Sequence, residues 1–250
     1  MKSYASGDWI VYPFSNDYNL DDLLKCVEMF EGNEVHETVI KKYCIEVLKS
    51  DYRSVVIKFT FNGKALVAKR PIEKHSRAWA RFVTQFRDSE VVEASKKLER
   101  VKRVGLIGNQ AIAAFEKRIK NRVADSWQVY TYLEGCVPPI EVFEKVKEIL
   151  VKIHQQGYLH GDSQLQNFLY TLDQQIAVID VKLKHNRLGN YGRSMEYEYL
   201  CRSNFCFKPY FVKERKWFSY KLYIFFKFLQ LRFRDVKKIR EWFGYKKNQA

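Results

Sequence analysis

The sequence is poor in the features that mark a disulfide scaffold, a zinc module or a membrane-spanning chain. Its five cysteines, Cys26, Cys44, Cys136, Cys201 and Cys206, are odd in number and include no Cys-x-x-Cys pair. That argues against a disulfide framework and a zinc site, and for reduced core thiols. The longest stretch without Asp, Glu, Lys or Arg is Val104–Phe115, twelve residues, too short to span a bilayer as a helix. The first residues, MKSYASGDWIVYPF, contain neither an apolar core nor a small-residue cleavage site, so no secretory signal is expected. A cytosolic protein, or one peripheral to a membrane, is the expectation. With 5 prolines and 11 glycines in 250 residues, no Pro or Gly/Ser linker divides the chain, and no repeat is visible.

What is abundant is positive charge and aromatic surface. There are 44 Lys and Arg against 29 Asp and Glu, a net +15, with 46% hydrophobic and 16% aromatic residues. The apolar content suits a sizeable core and excludes disorder, collagen and coiled coil. The charge suggests an anionic partner: nucleic acid, a membrane surface or a phosphorylated substrate. It is unevenly placed, since residues 207–250 hold 13 Lys and Arg, 3 Asp and Glu, and 14 of the 39 aromatics. Only +5 remains on the first 206 residues.

Periodicity places the elements. Val55–Phe61 alternates, Asn62-Gly63 follows and Ala65–Lys69 resumes, which predicts a hairpin with a tight turn and puts Lys69 near a strand end. From about Phe82 to Val104, apolar residues recur at helical spacing before Gly105, a helix presenting Glu90 and Glu93. Ala111–Phe115 and Trp127–Leu133 read as strands. Val142, Val146, Ile149, Leu150 and Ile153 mark a helix that Gly157 should end. A loop with His160-Gly161-Asp162, a short strand at Phe168–Tyr170, a turn around Asp173 and a strand at Ile176–Ile179 running into Asp180 complete the order before terminal helices.

The polar residues of this order suggest a chemistry. Asp162 and Asn167 lie five apart in a loop, and Asp180 follows an apolar strand. Two carboxylates and an amide can bind a hard cation through oxygen and leave one carboxylate to accept a proton. With a strand-borne lysine for the α/β-phosphates, that is the equipment of phosphoryl transfer.

VAK at Val67–Lys69, the acidic residues on the next helix, HGDSQLQN at His160–Asn167 and VID at Val178–Asp180 resemble, in order and spacing, the protein-kinase-like fold. The resemblance runs from about Ile45 to Asp180. The HGDxxxxN form, FRDSEVVEASKKLERVKRVGL at 86–106, VIDVK and the basic aromatic tail look like the lipopolysaccharide core heptose(II) kinase family. The resemblance implies an α+β, two-lobed kinase-like fold, with a small antiparallel-sheet lobe at about 40–133 and a reduced helical lobe at 134–250 that includes the tail 207–250. It implies ATP and Mg²⁺, with Lys69 on the ATP phosphates paired to Glu90, or to Glu93 one turn along. Tyr132, Leu133, Glu134 and Gly135 would be the hinge touching adenine, Asp162 the base, Asn167 and Asp180 the Mg²⁺ ligands, and His160 a structural brace.

The sequence departs from the family pattern at four places. Lys49–Arg53, KSDYR, has no glycine where a glycine-rich loop belongs, and Arg53 is the candidate substitute. The D-F-G step reads Asp180-Val181-Lys182, Gln164 stands where a lysine is usual, and no A-P-E follows Asp180. The missing activation segment disfavours a protein substrate and favours a compact acceptor.

The expected activity is ATP-dependent phosphorylation of a heptose hydroxyl of the lipopolysaccharide inner core. Lys182, Lys184, His185 and Arg187 are candidates to meet an acceptor that already carries phosphate, with a solvated loop as the alternative. The tail, Trp217–Trp242, has two readings: a helix packed on the fold with a solvated basic stripe, or an interfacial helix on anionic lipid. Two rivals stand beside this activity. A nucleic-acid-binding protein explains the charge but gives Lys69, Asp162, Asn167 and Asp180 no role. A kinase for another small alcohol is the second; neither a specific nucleic acid nor a protein partner is expected.

Overall fold

Alternating apolar residues and two left-handed turns build the sheet. The structure, a computed structural model, describes residues 3–30, 37–72 and 83–247, with only the backbone described at 37–39 and 233–247. In chain order it begins with strands β1 (Tyr4–Ser6) and β2 (Trp9–Pro13), helices α1 (Leu20–Glu28) and α2 (Glu37–Tyr43), and strand β3 (Glu46–Ser50). The predicted hairpin is β4 (Ser54–Phe61) and β5 (Lys64–Pro71), turned at Asn62 (φ 49°) and Gly63 (φ 73°). Two consecutive positive φ angles match the right-handed twist of the strands they join. Ile57, Phe59 and Phe61 point to the core, as period two requires.

Helix α3 (Glu90–Arg103) starts later than the sequence pattern, because Ser89 caps it by accepting from the Val92 N–H. Phe82 itself lies outside the described residues. Strands β6 (Ala111–Ile119) and β7 (Arg122–Thr131) are longer than read. Their charged continuation hid a second hairpin, turned at Lys120 and Asn121, both with positive φ. The sheet is antiparallel throughout, in the order β1-β2-β6-β7-β5-β4-β3. It begins at Tyr4, ahead of residue 40, where the sequence reading opened the lobe.

Asn19 caps α1, which buries Leu23, Leu24 and Val27 with Trp9, Phe59, Phe115 and Trp127. Each large side chain so buried contributes roughly 1.5–3 kcal/mol. Ala114, the neighbour of Phe115 and so directed to the other face, packs instead with Val91 and Val92 of α3. Together these elements are α+β.

Strand β8 (Gly135–Cys136) precedes helix α4 (Phe143–Gln155), strand β9 (Tyr158–Leu159), strands β10 (Phe168–Thr171) and β11 (Ile176–Val178), and strand β12 (Lys184–His185). Gly157, at φ 79°, follows α4 as predicted. Helices α5 (Asn190–Ser203), α6 (Val212–Arg215) and α7 (Phe218–Lys247) finish the chain. The chain divides into two compact units: residues 1–136 with 169–182, and residues 137–168 with 183–250. In the first, β8, β10 and β11 form a small second sheet. In the second, Phe143 stacks on Phe207 at 3.9 Å and Tyr197 on Phe211 at 4.5 Å, between α4, α5 and the turn of 3-10 helix that precedes α6.

All five cysteines are free thiols, but only Cys26 and Cys201 sit in the core. Cys44 and Cys136 are exposed. Among the described residues no helix is long and apolar enough to cross a membrane.

Candidate functional site

Within the first unit the sheet, α3 and the end of β11 enclose a cavity of about 770 Å³, a size that suits a small-molecule ligand. Leu48, Val56, Val67, Leu133, Leu169 and Ile179 give it apolar walls, and Lys69, Glu90, Glu93, Asp180 and Lys182 give it a charged end.

Lys69 is placed by the central position of β5, where it sits opposite Val56 on β4 and Gln128 on β7. Glu90 and Glu93 reach the same cavity from the first turn of α3. Glu93 is held by Lys96 at 3.0 Å, and Lys96 also binds Asp88. Tyr132 and Leu133 line the cavity just past β7, and Gly135 lines it too, whereas Glu134 is exposed and is not among the lining residues. The Tyr132 ring lies under the Lys58 ammonium, 4.4 Å from the ring centre. Gly135 is required there, since a Cβ would meet the Tyr170 carbonyl oxygen at 2.7 Å.

Asp180 follows β11 with φ 48°, a left-handed backbone that aspartate tolerates better than most residues. The next residue, Val181, is buried. Tyr130 lines the cavity as well, and burial followed by the nearby Asp180 charge pushes its phenol upward.

The glycine-free turn is closed by its own aspartate. Asp51 Oδ1 accepts the N–H groups of Arg53 and Ser54, both at 2.9 Å. These bonds, with Lys49 at 3.2 Å, hold its carboxyl below the usual carboxylate range. Both amides are thereby paired within the turn. The Arg53 side chain donates to the Tyr52 hydroxyl at 2.8 Å.

In the second unit Asp162 and Asn167 are brought together, the Asn167 Nδ2 donating to the Asp162 carbonyl at 2.7 Å. The amide oxygen of Asn167 is thereby set apart from its donor end, an oxygen of the kind a hard cation takes. Gln164 donates to the Asp162 carboxylate at 3.0 Å. His160 is fully buried with its ring 5.1 Å from that of Phe168. Lys184 and His185 pair with Leu159 and Tyr158 as β12 on β9 rather than forming a loop. Both are exposed, as is Arg187.

Two buried glutamates escaped the sequence reading. Glu196, on α5, accepts from the N–H groups of His160 (2.9 Å) and Gly161 (2.5 Å) and contacts His154 Nε2 at 2.8 Å. Its own carbonyl accepts from Ser163. Two helical turns further on, on the same face, Ser203 accepts from the Leu165 N–H at 2.9 Å, so α5 grips the loop at both ends. Glu116, on β6, accepts from the Ser89 N–H at 3.0 Å, the Tyr12 hydroxyl at 3.1 Å and Arg118 at 2.8 Å. It therefore sets the start of α3, which carries Glu90. The available signal was a glutamate inside an otherwise apolar strand, two residues from an arginine on the same face.

Among the described residues no cluster of three or more His, Cys, Asp and Glu is arranged as metal ligands. No protein-family model matches the chain, and no curated protein matches it. Among solved structures, one described as WaaP in complex with acyl carrier protein is similar, with 15% identity and a TM-score of 0.47, covering 71% of this chain and 77% of that one.

Proposed function

We propose that this chain is an ATP-dependent phosphotransferase of the protein-kinase-like fold, and that its acceptor is a heptose hydroxyl of the lipopolysaccharide inner core. One observation carries the phosphotransferase reading: a strand lysine, a helix glutamate and an aspartate at a strand end meet at the charged end of a cavity whose other walls are apolar. Flat apolar walls suit a base, and the charged end suits phosphates. The acceptor rests on the motif resemblance.

In this reading Tyr132, Leu133 and Gly135 border the adenine, with Glu134 on the outer side of the same turn. Lys69 binds the α/β-phosphates, and Glu90 holds Lys69 in place. Asp162 accepts the proton of the acceptor hydroxyl while the hydroxyl oxygen forms a bond to the γ-phosphorus; the bond from that phosphorus to the β,γ-bridging oxygen breaks, and ADP leaves. Gln164 orients the Asp162 carboxylate. Asp180 in the first unit and Asn167 in the second each offer an oxygen of the kind Mg²⁺ takes, and the ion would supply charge neutralisation at the phosphates. No glycine-rich cover operates, so phosphate contacts come from side chains.

The acceptor is tested by mass spectrometry of the lipopolysaccharide core from cells with and without the gene for this chain. The expected result is loss of one phosphate from the heptose region. An unchanged core removes the named acceptor.

A further inference from the structure

Helix α7 is packed on one side only at its start, and past Tyr223 exposure extends around it, with Ile224, Phe225 and Phe226 exposed in succession. Its first turns are fixed to α5: Tyr220 and Tyr223 are 4% and 5% exposed, the Tyr220 hydroxyl donates to Glu198, and Tyr223 meets Tyr191 edge-on at 5.8 Å. Phe218, Lys221, Phe225, Phe228 and Arg232 follow one another at spacings of three, four, three and four, which puts them on one face. That face is away from Tyr220 and Tyr223. Phe218 is 78% exposed, Phe225 55% and Phe228 52%. The Arg232 guanidinium lies 5.3 Å from the Phe228 ring centre.

We propose that this face is a membrane-docking surface for anionic lipid, with the helix lying in the head-group plane. A solvated helix has no use for a row of phenylalanines, so a packed-and-solvated reading accounts for Tyr220 and Tyr223 and not for the outer row. A coiled-coil partner is disfavoured because Lys221 and Arg232 would stand in its seam. Phenylalanine has no hydrogen-bonding edge, so the row offers apolar depth, and Lys and Arg offer contacts to acidic head groups. Charge complementarity extends along the whole element, since Phe218–Lys247 holds nine Lys and Arg against two Asp and Glu. Thirty residues make a helix about 45 Å long, enough to lie along a bilayer surface. The inference rests on the helix alone and stands or falls apart from the phosphotransferase reading.

The test is co-sedimentation of the full chain with vesicles of phosphatidylglycerol mixed into phosphatidylcholine, and with vesicles of phosphatidylcholine alone. Binding is expected to the anionic vesicles only, and to fall as salt is raised. Phe225→Ser with Phe228→Ser should weaken it roughly tenfold or more, whereas the same pair changed to Leu should retain it. Lys221→Glu with Arg232→Glu gives a second loss-of-binding variant should the serine pair lose its circular dichroism. Equal binding to both vesicle types overturns the proposal, as does serine-pair binding equal to the parent's. So does a serine pair that loses only self-association, binding to an acidic protein or binding to RNA, because the face then belongs to another occupant.

Discussion

Glu116 is fully buried, and its partners are Tyr12 and Ser89 from two distant parts of the chain and Arg118 two residues along its own strand, so its charge reports on all of them. The nearest titratable witness is Tyr12. Burial first, and then the Glu116 charge and hydrogen bond, push the Tyr12 phenol from the usual 10.0 to about 12. A folded-state pKa above the unfolded one means that the neutral phenol supports the fold. That support is complete below about pH 10 and is lost as pH rises through about 12. A spectrophotometric titration, with Tyr12→Phe subtracted, should therefore show one phenol ionising near 12. Glu116→Gln should move it down without returning it to 10.0, because burial remains. An ordinary Tyr12 pKa in the parent protein would contradict the contact.

Loop 160–165 has no regular structure to hold it until the 3-10 turn at Leu165, and its geometry is lent by α5. Glu196→Ala would leave the His160 and Gly161 amides and His154 without their acceptor, a loss on the order of 3 kcal/mol. Glu196→Gln keeps an acceptor oxygen and should lose less. Urea unfolding of both variants measures the difference, and an alanine variant as stable as the parent would show that the loop holds itself. The same elements show what could be read from sequence. Asn62-Gly63 and Gly157 were legible because a positive φ is demanded by one or two adjacent residues. HGDSQLQN was legible because its polar residues are close in sequence. Glu196 lies 35 residues from Gly161, and Glu116 lies 104 from Tyr12. No local pattern announces such pairs. The β6–β7 hairpin was half read, since its outer ends carry charged residues that break the apolar signal, and β1–β2 join the sheet only by pairing with β6.

For the whole molecule, the net +15 separates into two parts with different work. The tail carries most of it on a helix whose exposed row is aromatic, and the cavity-lining residues named above balance Lys69 and Lys182 against Glu90, Glu93 and Asp180. Overall charge is thus a guide to what the surface meets, and the site has to be argued from its own residues. With Gln164 beside the Asp162 carboxylate and the turn at residues 51–54 closed by Asp51, the deciding question is whether the chain transfers phosphate. The direct measurement is transfer of labelled γ-phosphate from ATP-Mg²⁺ to lipopolysaccharide lacking core phosphate, by the parent chain and by Asp162→Ala and Asp180→Ala. Incorporation by the parent, and a loss of about 10²-fold or more in each folded variant, is the predicted result. No incorporation by the parent, or near-normal incorporation by either variant, would contradict it.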